Sequence, residues 1–337
     1  RRRHTRYPLV TGVQTCALPI LFLFNSGWGT DYLADLIVGG LIYEPSITIY
    51  TNAICDYLYD DQTVESVFNL YGWGHTICRK LDSSFRSKPI IVKEEEIEDL
   101  LSQKMFDLVV YSSVTRRSHS LQQKHPDFSA DFIEIVKEYY PKEKIIVFDG
   151  EDTTALLEPI VPHVTYYKRE LLPQDANRAF PVAFSFPEYW RMDPEYFEKN
   201  KKTILAHNDP RDRSTYIYQV EKEYYRQYSR SLFAFTMKKA GWDCMRHYEI
   251  LGSGIVPYFF EIENKPTTIM CDWPIHLQLY ANRFCENLFE KYSNNDITNI
   301  SDSDMKKYYK IQKDFNEWVR EKSLSNIYFK ILQKHIN

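Results

Sequence analysis

Between Phe235 and Pro257 the chain reads Phe-Thr-Met-Lys-Lys-Ala-Gly-Trp-Asp-Cys-Met-Arg-His-Tyr-Glu-Ile-Leu-Gly-Ser-Gly-Ile-Val-Pro, and here residue types and spacing could do chemistry. An apolar run ends at Thr236, Lys238, Lys239 and Gly241 follow, and a helical pattern is expected from Trp242 to Leu251. A helix start with free backbone N–H groups favours a phosphate, and the two lysines would add positive charge there. Arg246 and Glu249 stand three positions apart, about 60° apart on the wheel, so they point the same way, while Cys244, Tyr248 and Leu251 face inward. A guanidinium can hold a diphosphate with two parallel hydrogen bonds, and a carboxylate can accept two sugar hydroxyls. The same spacing equally suits an exposed ion pair with Gly252 and Gly254 ending the helix; spacing alone leaves both readings open.

Other segments offer weaker candidates. Asp209-Pro210-Arg211-Asp212-Arg213 follows a predicted strand, where Arg211 or Arg213 could neutralise a leaving diphosphate without a metal; Asn208-Asp209-Pro210 is also a plain turn signature. Gly27-Trp28-Gly29-Thr30-Asp31 offers Asp31 as a base for a hydroxyl, or a helix-capping loop with Thr30 as the cap. Tyr71-Gly72-Trp73-Gly74-His75-Thr76 offers His75 as a base near neutral pH, or a solvated loop histidine. Tyr167-Lys168-Arg169-Glu170 puts two cations near an expected cleft, or is surface charge.

The elements that must position these residues alternate. Strands are expected at Ile20–Phe24, Ser46–Tyr50, Pro89–Val92, Phe106–Tyr111, Lys144–Phe148 and His163–Tyr167, with helices at Tyr32–Leu41, Glu94–Gln103 and Ala130–Tyr140. Pro173–Pro187, with three prolines and no period, reads as a linker. Beyond it, strands are expected at Thr203–Ala206, Leu232–Thr236, Ile255–Phe260 and Thr267–Met270. Helices are expected at Pro194–Asn200, Tyr216–Ser229 and Pro274–Phe289, and a long helical tail at Ser303–Gln333. This is an α/β chain of two Rossmann-like domains, 21–175 and 176–337, with the tail expected to pack back on the first lobe.

Val10–Ile20 looks like the translation of a sequencing-library adapter, so residues 1–20 are expected to be an artefact. The segment carries four of the 42 Lys and Arg and none of the 46 Asp and Glu, so without it 38 cations face 46 anions and the formal charge is -8. That balance argues against a nucleic-acid partner. No run approaches eighteen apolar residues, so no transmembrane segment is expected, which leaves peripheral membrane contact open. Cys55, Cys78, Cys244, Cys271 and Cys285 form no Cys-x-x-Cys pair, which fits a reducing, cytoplasmic location. Twenty-six tyrosines could stack on sugars, and a codon-biased genome would give the same enrichment.

Arg246-His-Tyr-Glu249-Ile-Leu-Gly-Ser-Gly254-Ile-Val-Pro257 resembles the Arg-x-x-Glu-Ala-Leu-Ala-x-Gly-x-x-Pro element of GT-B glycosyltransferases of the group-1 and spore-coat-like sets. The resemblance is specific over about 25 residues and fold-level elsewhere. It implies a glycosyltransferase of GT-B fold that takes a nucleotide-sugar donor and a glycan or glycoconjugate acceptor. By it Glu249 is the ribose ligand and Arg246 the diphosphate ligand, joined on the donor side by Lys238, Lys239 and Gly241. Many retaining members carry a second glutamate eight positions earlier; here that position is Gly241, so retention cannot be carried over. Asp243 could stand in, or simply favour the helix start.

Competing classes fit less well. The Asp-x-Asp of a metal-dependent GT-A enzyme occurs only at Asp302-Ser303-Asp304, where helix capping explains it, so no metal and no other cofactor is expected. Gly27-x-Gly29 lacks the third glycine of a dinucleotide fingerprint, and Gly252-Ser253-Gly254 is no nucleophile elbow. A non-catalytic nucleotide-sugar or glycan-binding module of the same fold is the alternative, which the missing glutamate keeps open. Donor hydrolysis without acceptor would separate the two.

Overall fold

The computed structural model describes residues 18–25, 31–63, 70, 77–113, 130–185, 201–292, 295–322 and 327–336. Within them Ile20–Phe24 (β1), Thr48–Thr51 (β2), Ile90–Ile91 (β3), Leu108–Tyr111 (β4), Ile145–Asp149 (β5), Thr165–Lys168 (β6) and Phe180–Pro181 (β7) form a parallel sheet in the order β3-β2-β1-β4-β5-β6-β7. Thr203–Leu205 (β8), Ser231–Thr236 (β9) and Val256–Phe259 (β10) form a second parallel sheet, ordered β10-β9-β8. The chain is therefore α/β, and the strand order of the first sheet reverses between β1 and β4, as in Rossmann-like sheets.

Period-two alternation explains why the central strands are apolar on both faces. Leu21 and Leu23 of β1 point into a core with Leu33, Ile37 and Leu41 of helix α1 (Tyr32–Ile42). Phe22 and Phe24 point the other way, to Ile97 and Leu101 of α2 (Glu94–Ser102) and Val136 of α3 (Ile133–Tyr139). Helices thus cover both faces, and the loops at the strands' carboxyl ends are left to make a site.

Around the second sheet lie α4 (Glu221–Ser229), α5 (Met245–Gly252), α6 (Ile275–Lys291) and α7 (Asp302–Lys322). The last helix, α8 (Ile327–Ile336), returns to the first sheet and packs on α1. Lys144 Nζ, beside β5, donates to the carbonyls of His335 (2.6 Å) and Ile336 (2.9 Å), satisfying acceptors that a helix C-terminus leaves open. The tail packs back as expected, but as two helices rather than one. One apolar cluster runs from α1 through Phe184, Tyr248, Trp273 and Tyr328, joining the two sheets.

Four expectations need correction. The proline-rich stretch Pro173–Pro187 contains β7, an edge strand, where Pro181 costs no ladder bond. Thr267–Met270 is a turn, not a strand: the Ile269 N–H bonds to the Pro266 carbonyl and Met270 takes φ 44°. Helix α4 starts at Glu221 rather than Tyr216, and α5 at Met245 rather than Trp242. The helix expected at 194–200 lies outside the described residues. Among the described residues no helix is long and apolar enough to cross a membrane.

Candidate functional site

The start of α1 and the loops that follow β5, β6 and β9 meet in one cleft, open to solvent. Asp31 and Tyr32 come from the start of α1, Gly150, Glu151 and Asp152 from the end of β5, and Arg169 from the end of β6. Lys239, Ala240, Gly241 and Asp243 come from the loop between β9 and α5. These are carboxyl ends of parallel strands in both sheets, the usual place for a ligand in such folds. A second, mainly apolar pocket is lined by Phe184, Tyr248, Trp273, Trp318 and Tyr328. Its lining includes none of the sequence-derived candidates, so the cleft is the better site.

Asp31 is the cap of α1. Its Oδ1 accepts from the N–H groups of Leu33 (2.9 Å) and Ala34 (3.3 Å), and its Oδ2 from the Ser113 hydroxyl (3.1 Å). Asp31 therefore caps the helix, and the expected cap Thr30 lies outside the described residues. Gly150 makes room for it: a Cβ there would sit 2.9 Å from Asp31 Oδ1.

Lys168 and Arg169 are not surface charge. Lys168 Nζ lies 2.9 Å from Asp149 with both side chains fully buried, and the Tyr166 hydroxyl also donates to Asp149. Arg169 is 1% exposed. It donates to the carbonyls of Gly150 (2.9 Å) and Asp243, pairs with Asp152 and Glu170, and lies over the Phe184 ring. Burial opposes its charge, and the carboxylates of Asp243, Glu170 and Asp152 more than restore it. Glu170 accepts from the Trp242 N–H (3.0 Å) and the Asp243 N–H (2.9 Å). Those bonds fix the bend at 242–243, Cys244 is extended, and the helix starts at Met245, three residues later than the sequence pattern indicates.

Asp243 is buried, accepting from the Phe184 N–H (2.7 Å) and the Tyr248 hydroxyl (3.0 Å). Burial pushes its carboxyl up to about 6, against the pull of Arg169. His247 is wholly buried between Thr236 Oγ1 and the Trp242 carbonyl, each 2.8 Å away, and stacks near Phe259. The carbonyl must receive a proton, so Nε2 carries it and Nδ1 accepts from Thr236. Burial drives this imidazole down to about 3.

Among the expected donor-side residues, Lys239 donates to the Pro210 carbonyl, and its pKa is lowered first by partial burial and then by Arg246, with Arg213 adding to the effect. Lys239 in the cleft thus feels two further cations, which favours an anion near it. The Arg246 guanidinium lies 5.0 Å from the Tyr216 ring centre, and its Nε is buried with no hydrogen-bond partner. Glu249 is buried at 4% exposure, and its Oε2 accepts from the Tyr224 hydroxyl at 2.6 Å. It is no exposed surface carboxylate. Arg211 grips Asp209 through Nε (2.9 Å) and Nη2 (2.6 Å) and lies 4.0 Å from the Phe235 ring centre. Arg213 and Lys238 are exposed and do not line the cleft. His75 lies outside the described residues.

The structure thus brings Asp31, Lys239, Gly241 and Asp243 into one cleft and sets Arg246 and Glu249 behind it. Sequence reasoning missed Glu170 and the 150–152 loop. The available signal was position alone, since both follow strand ends directly.

No protein-family model matches the chain, and no curated protein does. Among solved structures, MurG of Acinetobacter baumannii is similar at a TM-score of 0.35 and 9% identity, over 94% of this chain and 99% of that one. So loose a likeness has no bearing on function.

Proposed function

We propose that this chain is a glycosyltransferase of GT-B architecture, moving a sugar from a nucleotide-diphosphate donor to a glycan or glycoconjugate acceptor. The observation that carries the reading is Lys239 in the cleft, with the half-buried Arg246 behind it near enough to disfavour the lysine's charge, and Glu249 one helical turn beyond Arg246. The first lobe, which holds the acceptor, is built on the seven-stranded sheet, and the second, which holds the donor, on the three-stranded sheet. Arg246 and Lys239 neutralise the departing diphosphate, a role that needs charge where charge develops. Glu249, its carboxylate oriented by Tyr224, takes the ribose hydroxyls. Asp31, on the first-lobe wall, is the base for the acceptor hydroxyl, held in place by the helix it caps. Asp243, engaged by Phe184 and Tyr248, fastens the joint between the lobes.

A thermal-shift screen against UDP, GDP, ADP and CMP tests this, with Glu249→Ala alongside. Nucleotide at a hundred times its dissociation constant adds about 2.7 kcal/mol of stability. The expected result is one stabilising nucleotide whose effect Glu249→Ala abolishes. A well-folded parent that responds to none of the four would remove the donor-site reading.

A further inference from the structure

The carboxylate of Glu170 reaches from the first lobe into the second. It accepts two consecutive backbone N–H groups, those of Trp242 and Asp243, at 3.0 and 2.9 Å, and it is 1% exposed. Neither bond is local, for the partners lie more than seventy positions along the chain. Gly241 is what lets the carboxylate in: a Cβ there would stand 2.6 Å from Glu170 Oε1 and 3.1 Å from Arg169 Nη1. Arg169 holds the carboxylate from behind at 3.0 Å and donates to the Asp243 carbonyl, so one dipeptide binds both the N–H and the C=O of residue 243. The loop so held carries Lys239 to the cleft and leads into the helix that bears Arg246.

We propose that Glu170 is a positioning residue, a latch by which the first lobe sets the place of the cationic loop 238–244 and thereby the affinity for a diphosphate. The inference rests on the donor-site reading above. Charge-assisted bonds to backbone N–H groups are directional, and an amide in place of the carboxylate would turn its NH2 against one of two donors. The loop would then be free to move relative to the first lobe while the apolar cluster behind Phe184 still holds the lobes together.

The test uses the full chain as parent, Glu170→Gln and Glu170→Asp, the latter keeping the charge but losing reach. Amide exchange at Trp242 and Asp243 is followed, with the buried amides of α6 as reference, and inorganic pyrophosphate and UDP are titrated by calorimetry. For Glu170→Gln, exchange at the two amides rises about tenfold or more, the α6 amides stay as they were, and pyrophosphate affinity falls about tenfold. Glu170→Asp lies between, and is the variant to read if the amide does not fold. Unchanged exchange, or raised exchange with unchanged pyrophosphate affinity, overturns the latch. A folded parent that binds neither pyrophosphate nor UDP, GDP, ADP or CMP overturns the donor-site reading itself and the latch with it.

Discussion

Asp243 and His247 titrate against each other, and replacing one exposes the other. His247 falls from 6.5 to about 3 in the folded chain, so between those values the unfolded state binds one more proton than the native state. Its contribution is present above pH 6.5 and is lost as pH falls towards 3. Asp243 rises from 3.8 to about 6, so between those values the native state binds the extra proton. That contribution is complete below pH 3.8 and is lost as pH rises through 6. From pH 6 to about 4 the two slopes, each about 1.4 kcal/mol per pH unit, oppose and cancel. Asp243→Asn keeps the shape and an acceptor for the Phe184 N–H but removes one proton from the balance. On acidification from pH 7 to 4 the parent should therefore gain about 3 kcal/mol relative to the variant. Urea unfolding of both proteins at half-unit pH steps reads this directly, and other carboxylates cancel in the difference. A difference that stays flat with pH would mean Asp243 remains ionised under Arg169 and its two donors, and the argument from burial would be wrong.

Further outcomes follow from the same network. Gly241→Ala puts a Cβ within 2.6 Å of Glu170 Oε1, and overpacking together with the strained N–H bonds should cost about 2–4 kcal/mol in urea unfolding; a loss under about 0.5 kcal/mol would show that the carboxylate simply steps aside. Lys168→Met leaves Asp149 buried without its cation and should cost about 3–5 kcal/mol, whereas adding Asp149→Asn should recover much of that loss. If the double variant is no more stable than the single one, the charge pair is not what the site depends on. Tyr224→Phe removes the hydroxyl on Glu249 and should weaken nucleotide binding about tenfold while a 2′,3′-dideoxynucleotide, lacking the hydroxyls Glu249 would hold, binds parent and variant alike; equal losses for both ligands would count against the ribose assignment.

Most of the fold was legible because its signal is local. Strands such as Leu108–Tyr111 are short apolar runs between polar loops, and α1 shows its period in Leu33, Leu36, Ile37 and Leu41, so burial pattern and sequence pattern coincide. What stayed hidden depends on partners distant in sequence. Phe180–Pro181 becomes a strand only because β6 offers an edge, and the prolines around it read as a linker. The start of α5 moves from Trp242 to Met245, after a bend whose Trp242 and Asp243 amides bond to Glu170, a partner more than seventy positions away. Arg246 and Glu249 were found by spacing and resemblance, yet spacing could not say that both sit against tyrosines of neighbouring segments rather than in solvent.

By resemblance, a carboxylate side chain would arise at position 241, and its absence reads in the sequence as a loss. In the fold, the space above that glycine is filled by the Glu170 carboxylate, placed there by a strand end of the other lobe. A glutamate at 241 and Glu170 in its present place exclude each other, because the first atom of any side chain at 241 would lie inside contact distance of Oε1. The space beside Gly241 thus already holds a carboxylate, and that carboxylate bonds the Trp242 and Asp243 amides from the other sheet. Gly241→Glu alone should then destabilise the chain, and pairing it with Glu170→Ala should recover folding while loosening loop 238–244 from the first sheet. If Gly241→Glu is as stable as the parent, the two carboxylates do not compete for one space.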